Sequence, residues 1–278
     1  MKKSHKPIKE IEENIITGFF TMEDDEYFKR DGLSNSSFRL LAESPLHLEH
    51  ADLFALTGGT FTFGSALHCL VLEPEEFNKR YAVETFEGQD LNKNSNAYKE
   101  AKRKWQEEVK GKETLTGKEM EKLEKMARNV KAIAGNLFKD GQAEMAMMCG
   151  MDGIQMKGKV DYINHRLKLI IDLKTTGDIK RFGSSAVDYN YVTQASLYTD
   201  IAKEITKEDY QFVFVIVDVN SPHLVRIEKA SQEMIEIGRG MHQDYIRKWK
   251  EWKEEGKADI VKTVQLPKWF LDKYYGEA

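Results

Sequence analysis

The hydrophobic pattern of the chain changes its period near residue 141. Before that point, apolar positions recur at three- and four-residue steps, the spacing of helices with one buried face. The clearest helix begins after Thr116, which forms a capping box with Glu119, and continues to Gly141, which suits a left-handed helix end. Its predicted apolar face comprises Leu123, Met126, Val130, Ile133 and Leu137.

Two helices are predicted upstream. Ser34 suits an N-cap, and Pro45 should end the helix that follows it. The apolar stretch at 60–72 predicts a buried helix that stops before Pro74. The first 30 residues lack such a period, so we expect an irregular N-terminal arm there, with a solvated acidic run at 23–26, followed by a single domain at 31–278.

After residue 141 the pattern becomes that of strands. The segments alternate, or run apolar over strand length, and one helical pattern interrupts them. In chain order they are strands at 142–150, 154–164 and 167–176, a helix at 188–205, strands at 210–220 and 223–230, and a helix at 231–255. This order predicts an α/β domain with a central mixed β-sheet flanked by helices.

Composition and charge exclude several classes of protein. A net charge of −4 over 278 residues provides no global attraction to nucleic acid or membranes, so a polyanion would need a local basic patch. Cys69 and Cys149 are too few for a disulfide framework or a four-thiolate cluster and indicate a reducing compartment. Without a secretory pattern or a bilayer-length apolar run, we expect a cytoplasmic protein with no membrane partner.

Charged residues interrupt the apolar strands at 158–176. Asp172 and Lys174 share one face of their strand, and a turn near 165–168 would bring Asp161 beside Asp172. Adjacent carboxylates repel each other unless a cation separates them, and oxygen ligands suit Mg²⁺ or Mn²⁺. The alternative is a solvated strand edge or surface salt bridge, since charged residues are mostly exposed.

Ordered motifs favour the metal site over that alternative. The segments "GKVDYI" and "IIDLKTT" resemble the D–x(n)–(D/E)–x–K core of the PD-(D/E)XK nuclease superfamily. Three further segments resemble motifs of its RecB-like branch. They are "LSNSSFRLLAESPLHL", the G-x-x-x-H of "FGSALHCLVLEP" and the Q-x-x-x-Y of "QASLY". "KTTGDIKRF" and "LPKW" most resemble phage RecE-type exonucleases (exonuclease VIII), and the motifs together span residues 34–269.

The resemblance implies a restriction-endonuclease-like core and a role for each matching residue. Asp161 and Asp172 would hold a divalent ion together with the Leu173 carbonyl. Lys174 would orient or deprotonate the attacking water and offset charge in the transition state. His68 would be a further ligand, which would favour Mn²⁺, although a buried or helix-face histidine is the alternative.

Further positions are assigned through the same resemblance. Gln194 and Tyr198 share a helix face that would lie over the active site and touch the lysine or a DNA phosphate, the alternative being an ordinary surface pair. Glu144 is a candidate ligand that could equally be an exposed strand residue. Lys180 and Arg181 could contact phosphates near the cut.

A basic and aromatic run at 102–105 is a second candidate DNA contact, although such a run on a helix is more often a solvated face. The resemblance implies a metal-dependent exonuclease that digests one strand of linear double-stranded DNA 5′ to 3′. The resulting 3′ overhang would pass to a RecT-like single-strand annealing protein. The enzyme would be a homo-oligomer, encoded by a phage or prophage and active in the bacterial host cytoplasm.

Two other functions remain open from the sequence. Another RecB-like nuclease is possible, although two cysteines and the absence of a G-x-x-x-x-G-K-[ST] motif disfavour iron–sulfur and helicase-linked types. A DNA-end-binding domain with a vestigial nuclease core is the non-enzymatic alternative. The intact Asp161, Asp172 and Lys174 argue against it.

Overall fold

The computed structural model describes residues 15–53, 63–255 and 265–275. The helices are α1 (Asp24–Lys29), α2 (Asn35–Glu43), α3 (Pro45–Glu49), α4 (Phe63–Leu72), α5 (Pro74–Arg80), α6 (Asn96–Glu108), α7 (Gly117–Ala134), α8 (Phe182–Asp188), α9 (Tyr191–Thr206), α10 (Gln232–Glu254) and α11 (Lys268–Tyr275). The strands are β1 (Gly18–Phe20), β2 (Tyr81–Val83), β3 (Glu113–Leu115), β4 (Gln142–Met151), β5 (Ile154–Asn164), β6 (Leu169–Thr176), β7 (Gln211–Asp218) and β8 (Val225–Lys229).

A six-stranded mixed sheet is the centre of the fold, which confirms the predicted α/β class. Its strand order is β1-β4-β5-β6-β7-β8, and β2 and β3 form a separate two-stranded sheet. Within the larger sheet β6 and β7 are parallel, whereas the other neighbours are antiparallel. The parallel pair requires a crossover, which α8 and α9 supply. The strands predicted between residues 142 and 176 agree with β4, β5 and β6 to within two residues at each end.

Helices cover both faces of this sheet. On one face, here called the α9 side, α2, α3, α9 and α10 bury residues such as Phe38 and Leu197 against the strands. On the opposite face, the α4 side, α4, α5 and α7 bury residues such as Leu67 and Leu123. Strand β7 contributes to both sides, with Phe214 on the first and Val215 on the second, so the predicted burial of both its faces is confirmed.

The prediction of an irregular N-terminal segment is wrong between residues 18 and 29. Strand β1 adds an edge to the sheet by pairing Phe19 with Met147, and α1 buries Tyr27. A three-residue strand has too few positions to show an alternating pattern, which explains the error. The acidic run at 23–26 is exposed as predicted. Residues 1–14 lie outside the described part of the chain, and the division at residue 30 stays a prediction.

The helix after Thr116 begins as predicted and ends earlier. The Thr116 hydroxyl accepts a hydrogen bond from the Glu119 N–H, which completes the capping box. The helix stops at Ala134, and its buried face runs from Val130 to Ala134, so Ile133 is 59% exposed and does not belong to that face. The left-handed residue is Asp140, with a φ of 57°, and the assignment of that conformation to Gly141 is wrong.

The upstream helices are found as predicted, with one addition. Ser34 caps α2, and Pro45 ends that helix but also occupies the first position of α3. Helix α4 stops before Pro74, and residues 60–62 of its predicted range lie outside the described chain. Within the described ranges, no helix has both the length and the apolar character that crossing a bilayer requires.

Candidate metal centre

Strands β4 and β5 are distorted together at Glu144 and Asp161. The strand pairing keeps the same register on either side of these two residues. Yet Val160 packs on the α9 side and Tyr162 on the α4 side, although residues two apart on a regular strand share a face. Glu144 has a φ of 53°, a left-handed conformation that costs a residue other than glycine about 1 kcal/mol or more. The backbone is therefore strained where the carboxylates gather.

Three potential metal ligands converge at this distortion. His68, Glu144 and Asp161 each offer a ligand atom, and these atoms all lie within 4.8 Å of one another. The Nδ1 atom of His68 is 3.4 Å from Oδ2 of Asp161. Helix α4 carries His68, and a Cβ atom at Gly64, one turn earlier, would lie only 3.3 Å from the Thr175 hydroxyl oxygen. The glycine thus lets α4 approach β6 closely.

The carboxylate of Asp161 also spans the gap between β5 and β6. Regular pairing of these strands stops at Tyr162 and Ile171. Beyond that pair, the Leu173 N–H donates a 2.7 Å hydrogen bond to Oδ2 of Asp161. The N–H and C=O of one residue point to the same edge of a strand, so the Leu173 carbonyl faces the same gap. This is the position in which the sequence motif places a backbone ligand.

Asp172 is fully buried beside this gap and is held by two partners. Gln194 donates a 2.9 Å hydrogen bond to Oδ1, and Nζ of Lys174 is 2.7 Å from Oδ2. Among the described residues, the Lys174 ammonium group is the one partner of Oδ2. Burial raises the pKa of Asp172 to about 6, although Lys174 opposes the shift, and Asp161 raises the pKa further.

Lys174 remains a cation in this setting. Burial by itself would lower the pKa of its ammonium group, but attraction to Asp172 and Asp161 outweighs burial, and the pKa is raised. Such a group is suited to offset negative charge on a phosphate and poorly suited to accept a proton. The ammonium also lies 4.7 Å from the centre of the Tyr191 ring.

The structure places Gln194 and Tyr198 against Asp172 rather than over an open surface. Tyr198 is 7% exposed, and it lies one helical turn after Gln194, which binds the aspartate. Burial raises the pKa of Tyr198 to about 12. A Cβ atom at Gly158 would lie 2.6 Å from Cε1 of Tyr198, so a strand glycine makes room for the ring. The pair is thus not an ordinary surface pair.

A lysine that the sequence reading missed holds Glu144. Nζ of Lys159 lies 3.1 Å from Oε2 of Glu144 and 2.5 Å from Oδ1 of Asp24 in α1. Burial raises the pKa of Glu144, as does Asp161, whereas Lys159 opposes the shift. Lys159 precedes Asp161 by two residues in "GKVD", so the residue itself was visible, but its partner in α1 was not.

The donor atoms fit a divalent ion of the Mg²⁺ or Mn²⁺ class. Bonds of about 2.1 Å in octahedral geometry place neighbouring ligand atoms about 3 Å apart and opposite ones about 4 Å apart. The 3.4 Å separation of the His68 and Asp161 atoms lies in that range. Any two of the three ligand atoms that are as far apart as the 4.8 Å limit would have to move slightly closer to bind one ion. The buried Oδ2 of Asp172, beside Lys174, is a further available ligand. The imidazole favours Mn²⁺ over Mg²⁺.

Lys180 and Arg181 lie just past the end of β6. They occupy a short 3-10 turn at Ile179–Arg181, and both side chains are exposed. Arg181 lines a groove that also contains Thr175, the residue after Lys174. The structure therefore brings these basic residues near the site without placing them in it.

The cations of the basic and aromatic run at 102–105 are paired with glutamates, as on a solvated helix face, and the DNA contact stays a prediction. Its three cations pair with glutamates: Lys102 with Glu84, Arg103 with Glu107 and Lys104 with Glu100. Trp105 is buried and packs near the Phe86 ring. Trp105 therefore lies on a face of α6 that covers an apolar cluster, and it is not available to a nucleic acid.

The fold and the placement of the acids define a protein of the PD-(D/E)XK superfamily. Within it, the chain belongs to the family described as "PDDEXK-like domain of unknown function" (DUF3799), whose sequence profile matches residues 34–260. No curated protein sequence matches the chain.

Solved structures support the fold. A crystal structure described as "Putative exonuclease" from Eubacterium rectale has a TM-score of 0.59, with 13% identity over 93% of this chain and 100% of its own. A second structure, described as SSO0001, covers 75% of this chain and 85% of its own at 15% identity. Its TM-score of 0.29 is too low to inform the interpretation.

Proposed function

We propose that this chain is a divalent-metal-dependent exonuclease that digests one strand of linear double-stranded DNA. The observation that carries the proposal is the convergence of His68, Glu144 and Asp161 beside the buried pair of Asp172 and Lys174. Four residues with oxygen or nitrogen ligand atoms and one fixed ammonium group close together suit the hydrolysis of a phosphodiester. The match to the PDDEXK-like family supports this reading.

Each residue has a distinct task in the proposed reaction. When bound, a divalent ion would polarise the scissile phosphate and stabilise the charge that develops on it. Lys174 offsets charge on a non-bridging phosphate oxygen, because its ammonium group is held in place by Asp172. Gln194 fixes the orientation of Asp172 through its hydrogen bond, and the buried Tyr198 packs one turn further along α9, so these two act as positioning residues.

The direction and the biological setting form the finer part of the proposal. By resemblance, digestion runs 5′ to 3′ and leaves a 3′ overhang for a RecT-like annealing protein, in phage-type recombination in the bacterial cytoplasm. The chain would work as a homo-oligomer on double-stranded DNA ends. The "KTTGDIKRF" segment supports this reading through its resemblance to RecE-type exonucleases, and its exposed Lys180 and Arg181 could contact DNA phosphates next to the site.

End-labelled DNA tests the proposal directly. Linear blunt duplex labelled at either the 5′ or the 3′ end, and a covalently closed circle, are incubated with the protein in Mg²⁺, Mn²⁺ or EDTA. We expect metal-dependent loss of linear duplex only, with early release of the 5′ label. Linear duplex that stays intact in both metals would refute the enzyme reading and favour an end-binding domain, whereas cleavage of the circle would favour another nuclease type.

A matched pair of lysine variants tests the site. Lys174→Met should lower the rate by about 100-fold or more, the usual effect of removing one charge-stabilising group. Lys203→Met removes an exposed lysine that pairs with Asp209 at 2.7 Å, and it should leave the rate unchanged. Circular dichroism checks that both variants fold. Equal rates for Lys174→Met and the wild type would place the chemistry elsewhere.

A further inference from the structure

A groove lies next to Lys174, where the chain leaves the end of β6. It has a volume of about 510 Å³ and begins at Thr175 and Thr176, the residues that follow the lysine. Its opposite wall is formed by α8 and the residues after it, including Tyr189 and Tyr191. We call it the Tyr189 groove.

Aromatic rings run from the core into this groove. The Tyr191 ring packs 6.0 Å from Phe214 and stacks on Phe182 at 5.9 Å, so it is anchored in the α9 side of the core. Tyr189 follows at 5.9 Å from Tyr191, and its side chain is 65% exposed. The series therefore ends in a ring that offers one open face to the groove.

The groove adjoins the candidate site through Tyr191. The Tyr191 ring lies 4.7 Å from Nζ of Lys174 and also lines the groove. A phosphate held at Lys174 would thus have its neighbouring nucleotide at the mouth of the groove. Base–aromatic stacking is the usual way in which proteins hold single-stranded nucleic acid irrespective of sequence.

The charges of the groove favour a base over a phosphate. Asp178 and Asp188 line it together with one cation, Arg181. The two carboxylates would repel a phosphodiester, but carboxylates and the hydroxyls of Ser184 and Ser185 can hydrogen-bond a base or a sugar. The scissile phosphate would therefore stay outside, at Lys174, and Arg181 is the one cation of the lining that could hold a neighbouring phosphate at the edge of the groove.

We propose that the Tyr189 groove binds the base of an unpaired nucleotide next to the scissile phosphate, with the Tyr189 ring as its stacking surface. The inference rests on the proposed function and refines its substrate. A base inside a duplex is stacked on both faces and cannot reach the groove, so the strand must enter unpaired, as a frayed or single-stranded end. Tyr189 is then a substrate-binding residue.

Binding of a short single strand tests this inference without hydrolysis. The full-length protein is titrated into a dye-labelled hexathymidylate in Ca²⁺, and the anisotropy is followed. Tyr189→Ala should weaken binding about 5- to 100-fold, the effect of losing one base–aromatic stack. Tyr189→Phe keeps the ring and should bind within about twofold of the wild type. Tyr275→Ala removes a tyrosine that is 83% exposed in α11, and it should bind like the wild type.

Abasic substitution locates the contact. One base of the hexamer is removed at each position in turn, and at a single position the difference between wild type and Tyr189→Ala should vanish, as in a double-mutant cycle. Tyr189→Ala binding as tightly as wild type at every position would overturn the inference, and so would an equal loss in Tyr275→Ala or no hexamer binding by the wild type. Base-dependent binding without metal-dependent hydrolysis would instead refute the nuclease proposal alone.

Discussion

Gly158→Ala should disturb the candidate metal centre indirectly, by displacing the Tyr198 ring. A Cβ atom at position 158 would lie 2.6 Å from Cε1 and 2.9 Å from Cδ1 of that ring. Carbon atoms pack at about 3.5–4.0 Å, so the ring would have to retreat by about 1 Å. Tyr198 is buried, and its retreat would disturb Gln194, one helical turn earlier, which binds Asp172.

The expected loss of stability follows from two opposing effects. Overpacking of this kind costs about 1–3 kcal/mol, whereas replacing a strand glycine by alanine returns about 0.5–1 kcal/mol of backbone entropy. The net loss should be about 0.5–2 kcal/mol. For a chain of this size, that corresponds to a fall in Tm of about 1–4 °C.

Thermal unfolding and the end-labelled DNA assay measure the two consequences. We expect the lower Tm together with slower metal-dependent hydrolysis, because Asp172 loses its fixed orientation. Gly183→Ala is the control, since among the described residues no atom lies within 4 Å of its Cβ position, and it should not lower the Tm. In a Tyr198→Leu background, Gly158→Ala should cost much less. An undiminished penalty there would refute the proposed contact.

Three further predictions concern other parts of the chain. Gly238→Ala should lower the unfolding free energy measured in urea by about 1–3 kcal/mol, because its Cβ would lie 2.4 Å from the Val192 carbonyl oxygen. The control is Gly240→Ala, which has no described atom within 4 Å of its Cβ position and should raise the unfolding free energy by up to about 1 kcal/mol. Burial lowers the pKa of His242 from 6.5 to about 4, so between those pH values only the unfolded chain takes up the proton. The unfolding free energy should fall by about 3 kcal/mol as pH drops through that range, and His242→Phe should remove that part of the slope. Glu144→Gly should be about 1 kcal/mol more stable than Glu144→Ala, since glycine adopts a φ of 53° without strain, and equal stability would contradict a strained backbone.

The long elements of the fold could be predicted because their signals are local. The capping box at Thr116 and the apolar strands each lie within one short stretch of sequence. The short strands could not be predicted in this way. Strand β1 forms through the pairing of Phe19 with Met147, and β2 forms through its pairing with β3. Three residues carry too little pattern to predict a partner that is distant in the sequence.

In the candidate site too, the local features could be predicted and the distant contacts could not. Asp161 and Asp172 could be placed near each other from the length of one hairpin. The pairing of Lys159 with Asp24 could not, because 135 positions separate them. The strained backbone at Glu144 could not be predicted either, since glycine is the usual sign of a left-handed residue and this position is a glutamate. Gly158, a glycine inside a strand pattern, is a signal in the sequence of the close approach of α9.

The matched distortion of β4 and β5 limits how this family can vary in length. Because the register is the same before and after Glu144 and Asp161, deleting either residue alone would slip every later pair by one and turn core side chains to the wrong face. A lineage could lose or gain residues here only in both strands together. Insertions and deletions at this spot should therefore be inherited as pairs, while the surface turns at either end of the hairpin can change one residue at a time.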